Sequence, residues 1–311
     1  MRTGLAILGG WEGINGAGLL GNVDSSNNRG RLILLLNIKS IIFISLIKTM
    51  ASKNLWSKEE LMLAFNLYLK IPFGKMHSRN PEIIHLANTI GRTANSIALR
   101  LVNFAAIDPY HKERGVKGMA GGAKQCQPIW DEFIQNKEAL IFESEKILAT
   151  RENQTIETKY KDILLDLTNF KGEEKIREVK IRVNQSVFRQ IVVGNYSSRC
   201  AITGIDIPEL LLASHIIPWS KNENERLNPE NGICLSALYD RAFDKGLIGI
   251  TPSYEIILST DLKKKHKETY YSKHFEGLDK KKIVLPERYL PKKEFLEYHL
   301  DEIFDKRNSL L

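Results

Sequence analysis

Apolar positions recur at helical spacing soon after residue 50. In LWSKEELMLAFNLYLK, Leu61, Ala64, Phe65 and Tyr68 follow the i, i+3, i+4, i+7 order of one buried helix face. Ser57 and Glu60 stand ahead of it at capping-box spacing, and Pro72 and Gly74 end it. A second helix is predicted in RNPEIIHLANTI, with Asn80 as cap, Pro81 in the first turn, and Ile83, Ile84, Ala87 and Ile90 facing inward. Gly91 stops it. Thr93 caps a third, TANSIALRLVNFA, whose Ile97, Leu101 and Phe104 line the core side, while Ser96, Arg100 and Asn103 form a polar stripe.

The pattern then loosens. GVKGMAGGAKQ reads as a Gly/Lys loop, QPIWDEFIQNKEALIFESEKIL as one more helix, and residues 146–179 as a charged helical linker. A helix from about Gln185 to Tyr196 buries Phe188, Ile191 and Val192. CAITG and LLLASHIIP are short β-rich runs, Pro218 to Asn231 is a polar loop, and GICLSALYDRAFDKGLI gives a brief strand and a helix ending before Gly246. Strand, loop, strand, helix is a ββα unit. PKKEFLEYHLDEIFDKR is a closing amphipathic helix.

The first 49 residues differ from the rest. A Gly- and Asn-rich stretch without sustained period leads into LILLLNIKSIIFISLI at 32–47. That run is short for a membrane span and is interrupted by Asn37, Lys39 and Ser40, so no membrane association is expected. It lies far from Met1 and lacks a small-residue cleavage site, so it does not read as a signal peptide either. Met50 directly precedes the first capped helix, and residues 1–49 are expected to be a disordered or mis-annotated leader. The expected division is therefore leader 1–49, helical module 50–145, linker 146–179 and a C-terminal domain over 180–311, an α+β protein overall.

Composition adds two constraints. A net charge of +8 leans toward a polyanionic partner. Cys126, Cys200 and Cys234 are scattered with no C-x-x-C pair, which excludes a disulfide scaffold and a four-Cys zinc site and suits reduced thiols in a cytoplasmic protein.

The candidate chemistry lies in ASHIIPWSKNENERLNPENGICLSALYDRAFDKGLI. His215 falls near a strand end, Asn231 closes the loop, and Asp240 and Asp244 sit one helical turn apart, about 40° around the axis, so both carboxylates face one way. Hard oxygen ligands suit Mg²⁺ or Mn²⁺, and an imidazole beside such an ion can take a proton from water. Arg226, in the connecting loop, can grip a phosphate or pin the loop to a carboxylate.

These motifs, A-S-H-I-x-P-W, R-x-N-P-x-N-G and F-D-x-G-L-I, resemble the HNH (ββα-metal) endonucleases, most closely a bacterial restriction-type subgroup. The resemblance implies that His215 is the general base, that Asn231 fixes the loop and aims it, and that Asp240 and Asp244 hold the metal, Mg²⁺ before Mn²⁺. Where many members carry an Asp or His ligand just before the base, this chain has Ser214, and water is expected to fill that place. The Cys pairs that frame a structural zinc in other members are missing, and no structural zinc is expected. W-S-x-E-E-L…G-R-T-A-N-S-I…R-L-x-N-F resembles Myb/SANT helix-turn-helix modules, which makes Ser96, Arg100 and Asn103 candidate DNA contacts.

The implied function is metal-dependent hydrolysis of DNA in restriction or defence. The alternatives are a DNA-binding protein with a degenerate site and a mobile-element nuclease. One ββα site cuts one strand, so double-strand cleavage needs two sites, as in a homodimer, or two visits. The lysines between 263 and 282 would add sequence-blind backbone grip.

Overall fold

Capping decides where the helices begin. The computed structural model describes residues 55–164, 167 and 169–306. Helix α1 (Lys58–Lys70) starts at the full Ser57/Glu60 capping box and buries the predicted Leu61, Ala64, Phe65 and Tyr68. Helix α2 (Pro81–Ile90) is capped by Asn80 and stopped by Gly91, which adopts φ 69°, a conformation glycine reaches without strain. Thr93 caps α3 (Ala94–Ala105). Glu60 also receives Arg92 in two-pronged fashion, at 2.9 and 2.8 Å, tying the start of α1 to the α2–α3 turn.

The polar stripe on α3 does not face outward. Arg100 and Asn103 are both buried, which overturns their expected role as DNA contacts. The Arg100 guanidinium lies 4.5 Å from the Trp56 ring centroid and donates to Gly122 O (3.3 Å) and Gln125 Oε1 (2.9 Å). Asn103 Oδ1 accepts from Met119 N at 2.8 Å. The Gly-rich loop closes over the stripe so tightly that a Cβ on Gly122 would lie 2.3 Å from Asn103 Nδ2. Ser96 stays half-exposed at the start of the same helix.

After α4 (Pro109–Glu113) come α5 (Gly122–Phe133), α6 (Lys137–Arg151), the short α7 (Ile156–Lys159) and the long α8 (Gly172–Asn195). Residues 146–179, expected as a linker, hold the end of α6, α7 and the start of α8, and their Leu167 and Val179 bury together with Phe142 and Val183 on either side. Helix α8 begins thirteen residues before the Gln185 start that periodicity suggested. Described residues from Trp56 onward form one compact unit with a continuous core running from Leu61 to Leu296.

Helix α8 joins the two halves. It packs on α1, where a Cβ on Gly194 would lie 2.5 Å from Lys70 O, and it supports an antiparallel hairpin. Strands β1 (Leu211–His215) and β2 (Gly232–Ser236) pair in the register Leu211↔Ser236 to His215↔Gly232, and α9 (Ala237–Asp244) follows at once. This is the expected ββα unit. Strands β3 (Ile248–Ile250) and β4 (Ile256–Leu258) form a second hairpin, followed by α10 (Thr260–Lys263), α11 (Thr269–His274) and α12 (Lys293–His299). On α12 the buried His299 ring stacks on Phe243 of α9 at 3.6 Å.

A buried charge locks the C-terminal chain to the helical module. Arg288 donates to the Tyr68 and Leu69 carbonyls at 3.2 and 3.3 Å, lies 3.6 Å from Asp108 Oδ2, and sits against the Tyr68 and Tyr289 rings. Asp108 accepts from Tyr68 Oη at 2.5 Å and from Tyr110 N at 3.0 Å. Asp108→Ala would leave the guanidinium without its counter-charge, and breaking a buried pair costs about 3–5 kcal/mol. Urea unfolding should show a loss of that order, and a change under about 1 kcal/mol would contradict the assignment.

Candidate active site

Asn231 organises the loop between the strands. Its Oδ1 accepts from Ile217 N at 2.8 Å, and its Nδ2 donates to Ile217 O and to Glu225 O, both at 3.1 Å. Its own carbonyl accepts from Ile216 N at 3.0 Å. One buried amide therefore ties the end of the loop to its start and its middle, and a Cβ on the adjacent Gly232 would stand 2.5 Å from Val192 on α8, so the hairpin lies close against that helix.

That closure aims His215. The carbonyl of Arg226, one residue beyond Glu225, lies 2.9 Å from His215 Nε2. A carbonyl can only accept, so Nε2 carries the proton and the lone pair resides on Nδ1. The ring stacks on Phe188 of α8 at 4.1 Å and meets the edge of Trp219 at 5.5 Å. Burial lowers the His215 pKa, against weaker opposing effects from the Arg226 carbonyl and the Asp240 charge. The ring is thus neutral at neutral pH with a free base nitrogen.

Arg226 pins the loop. Its Nε donates to Trp219 O at 2.7 Å, its guanidinium lies 5.3 Å from the Trp219 ring centroid, and its Nη2 reaches Glu223 at 3.2 Å. Ser214 is not a vacant ligand position, because its hydroxyl donates to Asp240 Oδ1 and clamps β1 to α9. Phe188, Trp219 and the Arg226 carbonyl went unassigned in the sequence. The W of I-x-P-W, four positions after the histidine, was the visible signal for Trp219.

Asp240 and Asp244 sit one turn apart on α9, Asp240 half-buried against β1 and Asp244 exposed. Partial desolvation and then the Asp240 charge raise the Asp244 pKa, partly offset by Arg241 and Lys245. A cation relieves such repulsion, and two carboxylates are a donor set that Mg²⁺ or Mn²⁺ completes with waters and substrate phosphate. Among the described residues, no group of three or more His, Cys, Asp or Glu side chains is gathered to hold an ion alone. The pair fits a substrate-completed site and not a closed protein cage. Cys200, buried in the CAITG turn, receives N–H groups from Thr203 (3.5 Å) and Ser236 (3.2 Å) on its sulfur.

Residues 200–251, which contain the hairpin, the His215 loop and α9, match the family model described as HNH endonuclease. A search of curated proteins finds no match to the chain. The C-terminal part therefore carries an HNH endonuclease domain, which points to nuclease activity on DNA. Among the described residues no helix is long and apolar enough to cross a membrane. The leader, with its apolar run at 32–47, lies outside the described residues.

Opening the loop should be readable at the ring. Asn231→Ala lets water reach His215, and because burial is the dominant effect, its pKa should rise toward the ordinary value of about 6.5. Imidazole NMR titration checks this, and an unchanged or lower pKa in the variant would contradict the link.

Proposed function

We propose that the chain is a divalent-metal-dependent DNA endonuclease of the restriction or defence kind. The observation that carries this reading is the His215 ring, with Nε2 committed to the Arg226 carbonyl and Nδ1 free within reach of the Asp240 charge. Support for the defence role is the resemblance of the A-S-H-I-x-P-W, R-x-N-P-x-N-G and F-D-x-G-L-I motifs to restriction-type members. Three buried free cysteines are in keeping with a reducing, cytoplasmic setting.

In this mechanism Nδ1 takes a proton from a water molecule. The water oxygen forms its bond to phosphorus as the opposite P–O ester bond breaks, and the proton remains on the imidazole. Arg226 holds the ring tautomer through its carbonyl, and Asn231 holds the preceding residue, Glu225, through that residue's carbonyl. Asp240, oriented by Ser214, and Asp244 would bind the cation, which supplies charge neutralisation for the phosphate and leaving oxygens.

DNA grip falls to the exposed lysines of segment 263–282. Lys263 and Lys264 are partly neutralised by Asp279 (3.0 Å) and Asp261 (3.6 Å), while Lys265, Lys267 and Lys280–Lys282 stand exposed. Tyr239, beside Asp240 on α9, donates to His274 O at 2.5 Å and so anchors this segment next to the carboxylates.

A second reading, a DNA-binding protein with a degenerate site, draws on the lack of a third clustered ligand among the described residues. Plasmid cleavage with Mg²⁺ or Mn²⁺ against EDTA separates the two. His215→Ala should lose about 10²–10⁴ in rate and resist rescue by Mn²⁺. Asp240→Ala and Asp244→Ala should lose activity through metal affinity and recover in part as Mn²⁺ is raised. Near-normal cleavage by His215→Ala, or full activity in EDTA, would remove the mechanism.

A further inference from the structure

Two of the chain's arginine–glutamate pairs are built differently. Arg92 meets Glu60 with two aligned hydrogen bonds, at 2.9 and 2.8 Å, and both side chains are largely covered. Arg226 meets Glu223 through Nη2 at 3.2 Å, and neither Nη1 nor Nη2 forms a hydrogen bond among the described residues. Glu223 is 82% exposed and the Arg226 side chain 22%. The first pair is a structural tie. The second is a surface contact between residues three apart, of the kind that water and salt loosen readily.

The loosely held guanidinium stands beside the candidate base. The Arg226 carbonyl lies 2.9 Å from His215 Nε2, and Nε donates to Trp219 O at 2.7 Å. The guanidinium carbon is 5.3 Å from the Trp219 ring centroid, and that ring meets the His215 ring at 5.5 Å. Both ends of Arg226 are thus fixed next to the imidazole. Glu225 and Glu230, the other carboxylates of this loop, have Asn228 (2.6 Å) and Lys292 (3.2 Å) as partners, so Glu223 is the one set against the guanidinium. A planar fork of N–H donors with a full positive charge matches two oxygens of a phosphodiester better than a single carboxylate oxygen.

We propose that Glu223 stands in for a DNA phosphate on Arg226 and is displaced when the backbone binds beside His215. This deepens the nuclease reading and rests on it. Glu223 then acts as a restraint on binding, because a phosphate must reach the guanidinium before the pair separates and the carboxylate turns to solvent.

The test uses the full chain carrying His215→Gln, so that DNA survives while an amide can still donate to the Arg226 carbonyl. Binding to a labelled duplex in Mg²⁺ is followed by fluorescence anisotropy. Glu223→Gln should tighten binding by about two- to fivefold, the range set by a weak exposed ion pair. A gain in affinity is not what a damaged loop produces. Arg226→Gln should weaken binding, lower the slope of log affinity against log salt by about one, and abolish the gain from Glu223→Gln. Glu209→Gln removes another exposed carboxylate and measures the general effect of losing a negative charge, and its gain should be the smaller. That comparison decides alone if Arg226→Gln fails to fold. Unchanged or weaker binding by Glu223→Gln, the same gain with and without Arg226, an equal gain from Glu209→Gln, or no DNA binding by the parent overturns the proposal. Failure of wild type to cleave DNA refutes the nuclease reading and leaves the binding comparison to decide.

Discussion

The buried amide of Asn231 is the constraint on which the site depends. From one end of the loop it holds Ile217 at the other end and Glu225 in the middle, and the carbonyl of the residue after Glu225 meets His215. The orientation of the His215 ring is thus set by a backbone carbonyl, which is fixed once the loop closes. Phe188 and Trp219 then confine the ring by contact, and burial keeps it neutral. A solvent-exposed histidine would share its protons with bulk water at mildly acidic pH. This one is committed to a single tautomer.

The same economy operates between the halves of the chain. Helix α8 carries Phe188 against the histidine and Gly194 against the end of α1, so one rigid element touches both the nuclease hairpin and the helical module. Arg288 returns from the C-terminal side to bind the carbonyls at Tyr68 and Leu69. These contacts give the described residues a shared core.

Much of this was legible in the sequence because it is local. Capping residues at Ser57, Asn80 and Thr93 mark helix starts, and a His at a strand end with two Asp one turn apart defines a ββα unit without knowledge of the rest. What escaped depends on distant segments. Arg100 and Asn103 have the spacing of an exposed stripe, and only the close approach of Gly118 and Gly122 across the loop buries them. Ser214 looked like a missing ligand because its partner, Asp240, lies 26 positions away. In the charged stretch 146–179, Leu167 and Val179, which bury with Phe142 and Val183 on either side of it, are too sparse to show a period.

The central claim is that neutral His215 Nδ1 takes the proton from the attacking water. The pH dependence of single-turnover plasmid cleavage, at saturating Mg²⁺, tests it most directly. Protonation of Nδ1 destroys the base, so the rate should fall on the acid side through an inflection below about 6.5, with a plateau at neutral pH. A rate that continues to climb through about pH 8–9, with no plateau near neutrality, would contradict this account.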